Sequence, residues 1–236
     1  MSSLKKQSRI AALLYLINCL PAPFALLYVP SVLIVRGNAA ATADNIRNSE
    51  GLLRTGMAVE LFSSTIVIFA VLAFYQLFKR VSHKHAVAMM VLMLISVPIS
   101  YLNVLNDVAA LSLARSPAFL STVFDKAQLD ALVLFFLRLH NQGIILAQIF
   151  WGLWLFPFGI VVMRSGFIPR FVGVAAILAG SGYVVASSIS LFLPAFAKWG
   201  DLAMVLGLGE LAINWMLIWG ARETPADAPH LAPAAA

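Results

Sequence analysis

Residues 131–162 read ALVLFFLRLHNQGIILAQIFWGLWLFPFGIVV, a run apolar enough for lipid that nevertheless carries Arg138, His140, Asn141 and Gln142 within five positions. A helix over 127–163 rises about 1.5 Å per residue and reaches roughly 55 Å, nearly twice a hydrocarbon core of about 30 Å. It must therefore project or bend. If its lipid-spanning part ends at Arg164, counting back about 20 residues puts Arg138–Gly143 at the outer interface.

The remainder of the chain reads the same way. Of 236 residues 61% are hydrophobic and 11% charged, and the mean hydropathy is +0.92, far from the balance of a soluble domain. Apolar stretches long enough to span lie at about 10–35, 55–78, 86–112, 127–163, 171–194 and 201–220. The fold class is all-α, a polytopic membrane bundle of six transmembrane helices occupying 1–222. The Pro- and Ala-rich 223–236 is expected to be a disordered cytoplasmic tail. Cys19 is the single cysteine, which excludes an intrachain disulfide and any multi-cysteine metal site. "LINC" at 16–19 has Asn18 where a lipoprotein cleavage site wants a small residue, so the first segment is expected to be a retained span.

The pI of about 9.8 does not imply nucleic acid, because the positive charges lie in short loops beside spans, where they set orientation. With a cytoplasmic N-terminus, Lys5, Lys6, Arg9, Lys79, Arg80, Lys84, Arg164, Arg170 and Arg222 face inward. Arg36, Arg47, Arg54, Arg115, Lys126, Arg138 and Lys198 face outward. The asymmetry favours both termini in the cytoplasm. The first outer loop accommodates a short helix capped by Thr42, and Asp125 with Gln128 opens the fourth segment as a capping-box pair. Pro21, Pro23, Pro98 and Pro157 should kink or interrupt their helices. Ala176 with Gly180, Gly182 with Ala186 and Ala203 with Gly207 should let helices approach closely.

Ionisable groups inside a span are costly and face the protein interior or a watery cavity. At about 100° per residue, Glu60 shares a face with Ser63 and Ser64, and Ser96, Ser100, Asn103 and Asp107 share another. Ala203, Gly207, Glu210 and Asn214 line one side of the sixth segment. Arg138, Asn141 and Gln142 cluster on one side of their helix while His140 points about 160° away from Arg138. Arg138 is expected to pair with Glu60 or Asp107 or to reach headgroups, and His140, without a second intramembrane histidine, to be a hydrogen-bonded packing residue rather than a ligand, which speaks against a bis-histidine haem site. A Ser63, His140 and Asp107 triad can be drawn, but no nucleophile motif supports it. Glu60, Asp107, His140 and Glu210 are metal-ligand types without a diagnostic spacing, so no metal or other cofactor is expected.

"RIAALLYL", "AAATADNI", "LHNQG" followed by "FWGLWLFPFG", "RSGFIPRFVGVAAILAGSGY" and "GELAINWMLIWG" together resemble the bacterial membrane family DUF4386, in order along nearly the whole chain. The resemblance implies a six-span protein of a bacterial inner membrane, and it places His140, Asn141, Gly143, Arg164, Gly166, Arg170 and Glu210 within recurring motifs. It supplies no reaction, substrate or catalytic residue. The expected function is the binding or passage of a small molecule or lipid-like ligand in an outward-opening polar pocket. Glu60, Asp107 and Glu210 would be its charged or hydrogen-bonding groups, with Arg138 and His140 near the mouth, and Asn103, Asn141 and Asn214 complete the candidate ligand-binding residues. The alternatives are a structural or partner-binding membrane protein and, third, an intramembrane metal-dependent enzyme. Partners are the lipid bilayer and such a ligand, not nucleic acid; the sequence leaves oligomeric state open.

Overall fold

The computed structural model describes residues 3–222; the expected tail over 223–236 lies outside the described residues. Six helical stretches are long and apolar enough to cross a membrane: Leu4–Leu33, Glu50–Phe78, His83–Ala114, Lys126–Ser165, Arg170–Phe192 and Pro194–Ile218, here spans 1 to 6. Span 1 contains α1 (Ser3–Cys19), a π-helical turn (Phe24–Tyr28) and α2 (Val29–Leu33). A short α3 (Ala39–Asn48) leads into α4 (Glu50–Phe78) and α5 (His83–Ala114), which form spans 2 and 3. After the one-turn α6 (Ala118–Ser121), span 4 is divided into α7 (Lys126–Leu153) and α8 (Leu155–Ser165), and span 5 is α9 (Arg170–Phe192). Span 6 runs from a 3₁₀ turn (Pro194–Phe196) through α10 (Ala197–Val205) and a 3₁₀ stretch (Leu206–Asn214) to α11 (Trp215–Ile218).

Each span packs on the next in the chain, and α11 returns to α1. The bundle is thereby closed where the chain begins and ends. Arg9 Nη2 donates to the Ile218 carbonyl at 2.7 Å, and the Ala221 N–H donates to Ser8 Oγ at 2.7 Å. Both ends of the six-span region therefore lie on one side, here the terminal side, with α3 and α6 on the far side.

Proline chemistry accounts for two of the breaks. The ring of Pro157 removes the N–H that would bond to the carbonyl of Leu153, and the overlong fourth segment divides there, between Leu153 and Leu155. Span 1 loses regular α-geometry from Leu20 onward, beside Pro21 and Pro23. Pro98 lies within α5 without ending it. Two local expectations resolve differently. Asp125 and Gln128 form the capping box, with the Gln128 N–H on Asp125 Oδ1 at 2.8 Å and the Asp125 N–H on Gln128 Oε1 at 2.9 Å. Thr42 is not the cap of α3; Asn38 is, accepting from the Ala41 N–H at 2.9 Å. Gly37, with φ +76°, turns the chain just before Asn38, so the helix starts earlier and the Thr42 hydroxyl is buried, accepting from the Val35 N–H at 3.0 Å.

α3 is clamped to the far end of the bundle. Arg47 bonds Asp44 on its own helix, the Ala114 carbonyl at 3.0 Å and Asp130 Oδ1 at 3.0 Å, while Lys126 Nζ reaches Asp130 Oδ2 at 2.7 Å. Asp130 is buried, so two cations are needed to hold its charge there. The Arg47 hydrogen bonds hold the Asp44 carboxyl below the usual carboxylate range. A depressed carboxylate stabilises the fold above its unfolded pKa, and that contribution is lost as pH falls through the folded value.

Close packing of spans 4, 5 and 6 rests on glycine. Gly152 faces Gly180, and Gly159 faces Gly173; a Cβ on Gly159 would lie 2.5 Å from the Gly173 carbonyl oxygen and one on Gly173 2.6 Å from that of Gly159. Gly182 meets the backbone of Ala203 in the same manner. Backbone contact of this kind gives van der Waals attraction where lipid offers no hydrophobic drive for association.

Buried apolar residues form two clusters. On the terminal side, Tyr15, Phe74, Phe78, Trp154, Phe158 and Phe167 stack with centroid separations from 5.2 Å for Trp154–Phe158 to 6.5 Å for Phe74–Phe78. On the far side, Val29, Leu33, Ile46, Leu53, Val104, Leu129 and Val133 form the second. The polar residues of spans 2, 3 and 4 fall between them.

Gly159→Ala is expected to lower the stability of the purified protein by about 1–3 kcal/mol, because two backbones must separate, whereas Gly51→Ala, with nothing within 4 Å of its Cβ, is expected to leave it unchanged; thermal unfolding in detergent measures both.

Candidate functional site

Between the two apolar clusters, Glu60 of α4, Asp107 of α5 and His140 of α7 meet. His140 Nε2 lies 3.5 Å from Glu60 Oε2, and His140 Nδ1 lies 3.2 Å from Asp107 Oδ2. One donor atom from each residue lies within 4.8 Å of the other two. The three helices bring this about through their burial patterns. Ser96, Ser100, Asn103 and Asp107 are all buried on one stripe of α5, as helical spacing requires, and the Leu137-to-Ala147 face of α7 turns His140 toward them.

The neighbours of His140 explain the rest of its motif. Asn103 Nδ2 donates to the His140 backbone carbonyl at 2.9 Å, and Asn106 Nδ2 donates to Asn103 Oδ1 at 3.0 Å. This amide can reach α7 only because position 143 is glycine: a Cβ there would overlap Asn103 Oδ1. Gly143 is thus a place of close approach, and Asn103 fixes the stretch of helix that aims the imidazole. Asn141 and Gln142 are exposed and point elsewhere, lining a wide cleft on the far side of about 970 Å³ together with Arg36, Arg138, His140, Asp107 and Glu60.

Arg138 does not make the ion pair with Glu60 or Asp107, one of the two roles expected of it. His140, from the opposite face of the same helix, occupies the place between the two carboxylates, and Arg138 stands exposed in the cleft wall with no ion pair among the described residues. The helical offset between the two positions makes these roles exclusive.

A second cavity of about 360 Å³ adjoins the cleft, with Glu60, Leu26 and Ile144 in the walls of both. Residues of all six spans line it. One wall carries Ser63, Ser64, Ser96 and Ser100, while Leu26, Met93, Trp151 and Met204 make it largely apolar. Glu210 closes it, bonded by the phenol of Tyr15 at Oε1 and by that of Tyr183 at Oε2, the latter at 2.7 Å. Glu60 and Glu210 therefore share a cavity, Glu60 and Asp107 share the cleft, and Glu210 stands apart from the histidine cluster. Asn214 lines neither space; its Nδ2 donates to the Leu211 carbonyl at 3.2 Å. The expected face Ala203, Gly207, Glu210 and Asn214 assumed α-spacing, but Leu206–Asn214 is a 3₁₀ stretch. At about three residues per turn Gly207, Glu210 and Ile213 align and Asn214 rotates away.

A model for one family, described as a domain of unknown function (DUF4386), matches residues 10–220. The chain belongs to the DUF4386 family. No curated protein and no solved structure matches it. The motifs by which the chain resembles DUF4386 thus include the histidine and glycine of the α7 contact and the carboxylate of span 6. The two phenols on Glu210 were not singled out in the sequence: Tyr15 and Tyr183 are 168 positions apart, and only the packing of α1 and α9 around span 6 joins them.

Gly143→Ala is expected to destabilise the protein by about 1–3 kcal/mol, and to do so less in an Asn103→Ala background; a double-mutant cycle on thermal unfolding measures that coupling, and additive costs would mean that the two residues do not meet.

Proposed function

We propose that this integral membrane protein binds or passes a small-molecule or lipid-like ligand through the far-side cleft and the cavity beneath it. The observation that carries this reading is the shared wall: a cleft rich in polar groups adjoins a mostly apolar cavity of about 360 Å³ across Glu60 and Leu26. Such a pair suits an amphiphile whose polar end stays by Glu60, the serines or the cleft and whose apolar part lies against Leu26, Trp151 and Met204. Asp107, Asn141, Arg138 and His140 line the cleft, Asn103 positions His140, and Glu210 forms the cavity floor with Tyr15 and Tyr183. Asn214 acts at a distance from both spaces in this reading, through span 6.

The orientation proposed is that of a bacterial inner membrane protein with both termini in the cytoplasm, so that the cleft opens outward. The excess of Lys and Arg on the terminal side supports it.

In a Cys19→Ser background, Thr122→Cys should react with a membrane-impermeant maleimide in intact cells and His83→Cys only after lysis; the reverse pattern would place the cleft on the cytoplasmic face. Solvent extraction and mass spectrometry of the purified protein should recover a co-purifying amphiphile that Ser64→Trp, which fills the cavity, reduces at least several-fold. Equal recovery from both proteins, or no bound molecule in either, would remove the ligand reading.

A further inference from the structure

We propose that Glu60, Asp107 and His140 form a binding site for one divalent transition-metal ion of the zinc class, reached from the far-side cleft. The ring of His140 stands between two carboxylates, with opposite nitrogens facing them at 3.5 and 3.2 Å. A neutral imidazole carries one N–H. One of these contacts therefore sets a nitrogen lone pair against a carboxylate oxygen, which is repulsive unless a positive centre lies between them.

Burial makes this costly. Side-chain exposure is 10% for Glu60, 9% for Asp107 and 16% for His140. Glu60 Oε1 and His140 Nδ1 are buried without a hydrogen-bond partner, and neighbouring Ser63 Oγ is in the same condition. Removing two carboxylates from water with unsatisfied atoms carries a large penalty. Among the described residues the nearby Arg138 forms no ion pair with them, while Arg47, Arg54, Arg115 and Lys126 are engaged by Asp44, Glu50 and Asp130. An ion of charge +2 would balance both carboxylates in their ionised form.

The donor set and spacing fit such an ion. Two ligands of a tetrahedral zinc-like ion, each at about 2.0–2.1 Å, stand roughly 3.3–3.4 Å apart; one His140 nitrogen meets a carboxylate oxygen near that separation, and the second carboxylate, with a donor atom within 4.8 Å of both, completes the set by side-chain rotation. Imidazole with carboxylate oxygen selects zinc, manganese or iron over calcium and magnesium, which prefer all-oxygen shells. The Asn103 bond to the His140 backbone carbonyl at 2.9 Å holds the stretch of helix that presents the ring. Three protein donors leave a position for water or for an oxygen of a molecule in the cleft. Arg36 and Arg138 in the cleft wall favour an anionic oxygen there. The ion site stands independently of whether the inner cavity carries a ligand.

The test is made on the full-length chain in detergent, stripped with a chelator and titrated with Zn²⁺ and Co²⁺ by calorimetry and visible absorption. The expected result is one ion per chain, with affinity lowered at least tenfold in each of Glu60→Gln, Asp107→Asn and His140→Gln. The double variant His83→Ala with His85→Ala should keep the wild-type affinity. No saturable binding to the wild type would overturn the proposal and leave protons as the neutralising charge; so would binding that survives all three substitutions. If the variants fail to fold, the zinc-edge absorption spectrum of the wild type decides. One nitrogen and carboxylate oxygens at about 2.0–2.1 Å support the site, and a shell containing sulfur or several imidazoles overturns it.

Discussion

Two carboxylates facing one imidazole between two apolar clusters is the constraint around which the bundle is arranged. Glu60, Asp107 and His140 come from three different helices, so none can be placed without fixing the angle and depth of the other two. Buried polar groups left unpaired cost more than apolar contacts in the same place would return. A bundle that keeps them must therefore hold its helices in one register. The Asn103 bond to α7 and the absence of a side chain at Gly143 supply that register on one side. The Arg47, Asp130 and Lys126 group supplies it at the far end.

The two halves of the molecule solve packing differently, and the cavities follow from the difference. Spans 4, 5 and 6 approach through glycine and alanine until backbones touch. Span 1 cannot do this beyond Cys19, because Pro21, Pro23 and the π-turn Phe24–Tyr28 end its regular helix. The opening that remains beside this irregular stretch, walled by Ala22, Pro23 and Leu26, is part of the cavity. On the opposite wall, span 6 tightens into nine residues of 3₁₀ helix around Glu210. That length is well beyond the usual three or four residues and is a geometry associated with strain or hinges. Irregular backbone at membrane depth is tolerated where it is buried or lines a cavity, which is where both of these stretches lie.

Much of this was legible in the residues. Hydropathy alone fixes six spans, because lipid demands a length of apolar helix whatever the neighbours are. The stripe of Ser96, Ser100, Asn103 and Asp107 on α5 follows from helical period, and so does the separation of His140 from Arg138. The excess length of the fourth segment required it to project or bend, since 40 residues of straight helix exceed a bilayer core, and it divides between Leu153 and Leu155. What failed to follow was partner choice. Arg138 carries the charge that Glu60 and Asp107 lack, yet angle on the helix outweighs charge, and the imidazole on the inner face is the one that meets them.

The face assigned to span 6 shows a second kind of limit. Spacing rules presuppose a helix type, and the shift from 3.6 to about three residues per turn changes which side chains share a face after a single turn. Glu210 remained inward under either count, whereas Asn214 did not. Tyr15 and Tyr183 needed more than any period could give, because a hydrogen bond between residues of three helices depends on ring order. That order is set by proline breaks, glycine contacts and the closure of α11 onto α1. Distant pairings of this kind are also why neither a metal-ligand motif nor a catalytic motif appears in the linear chain. Positions 60, 107 and 140 lie 47 and 33 residues apart, a spacing no local signature covers, and the bundle alone makes them neighbours.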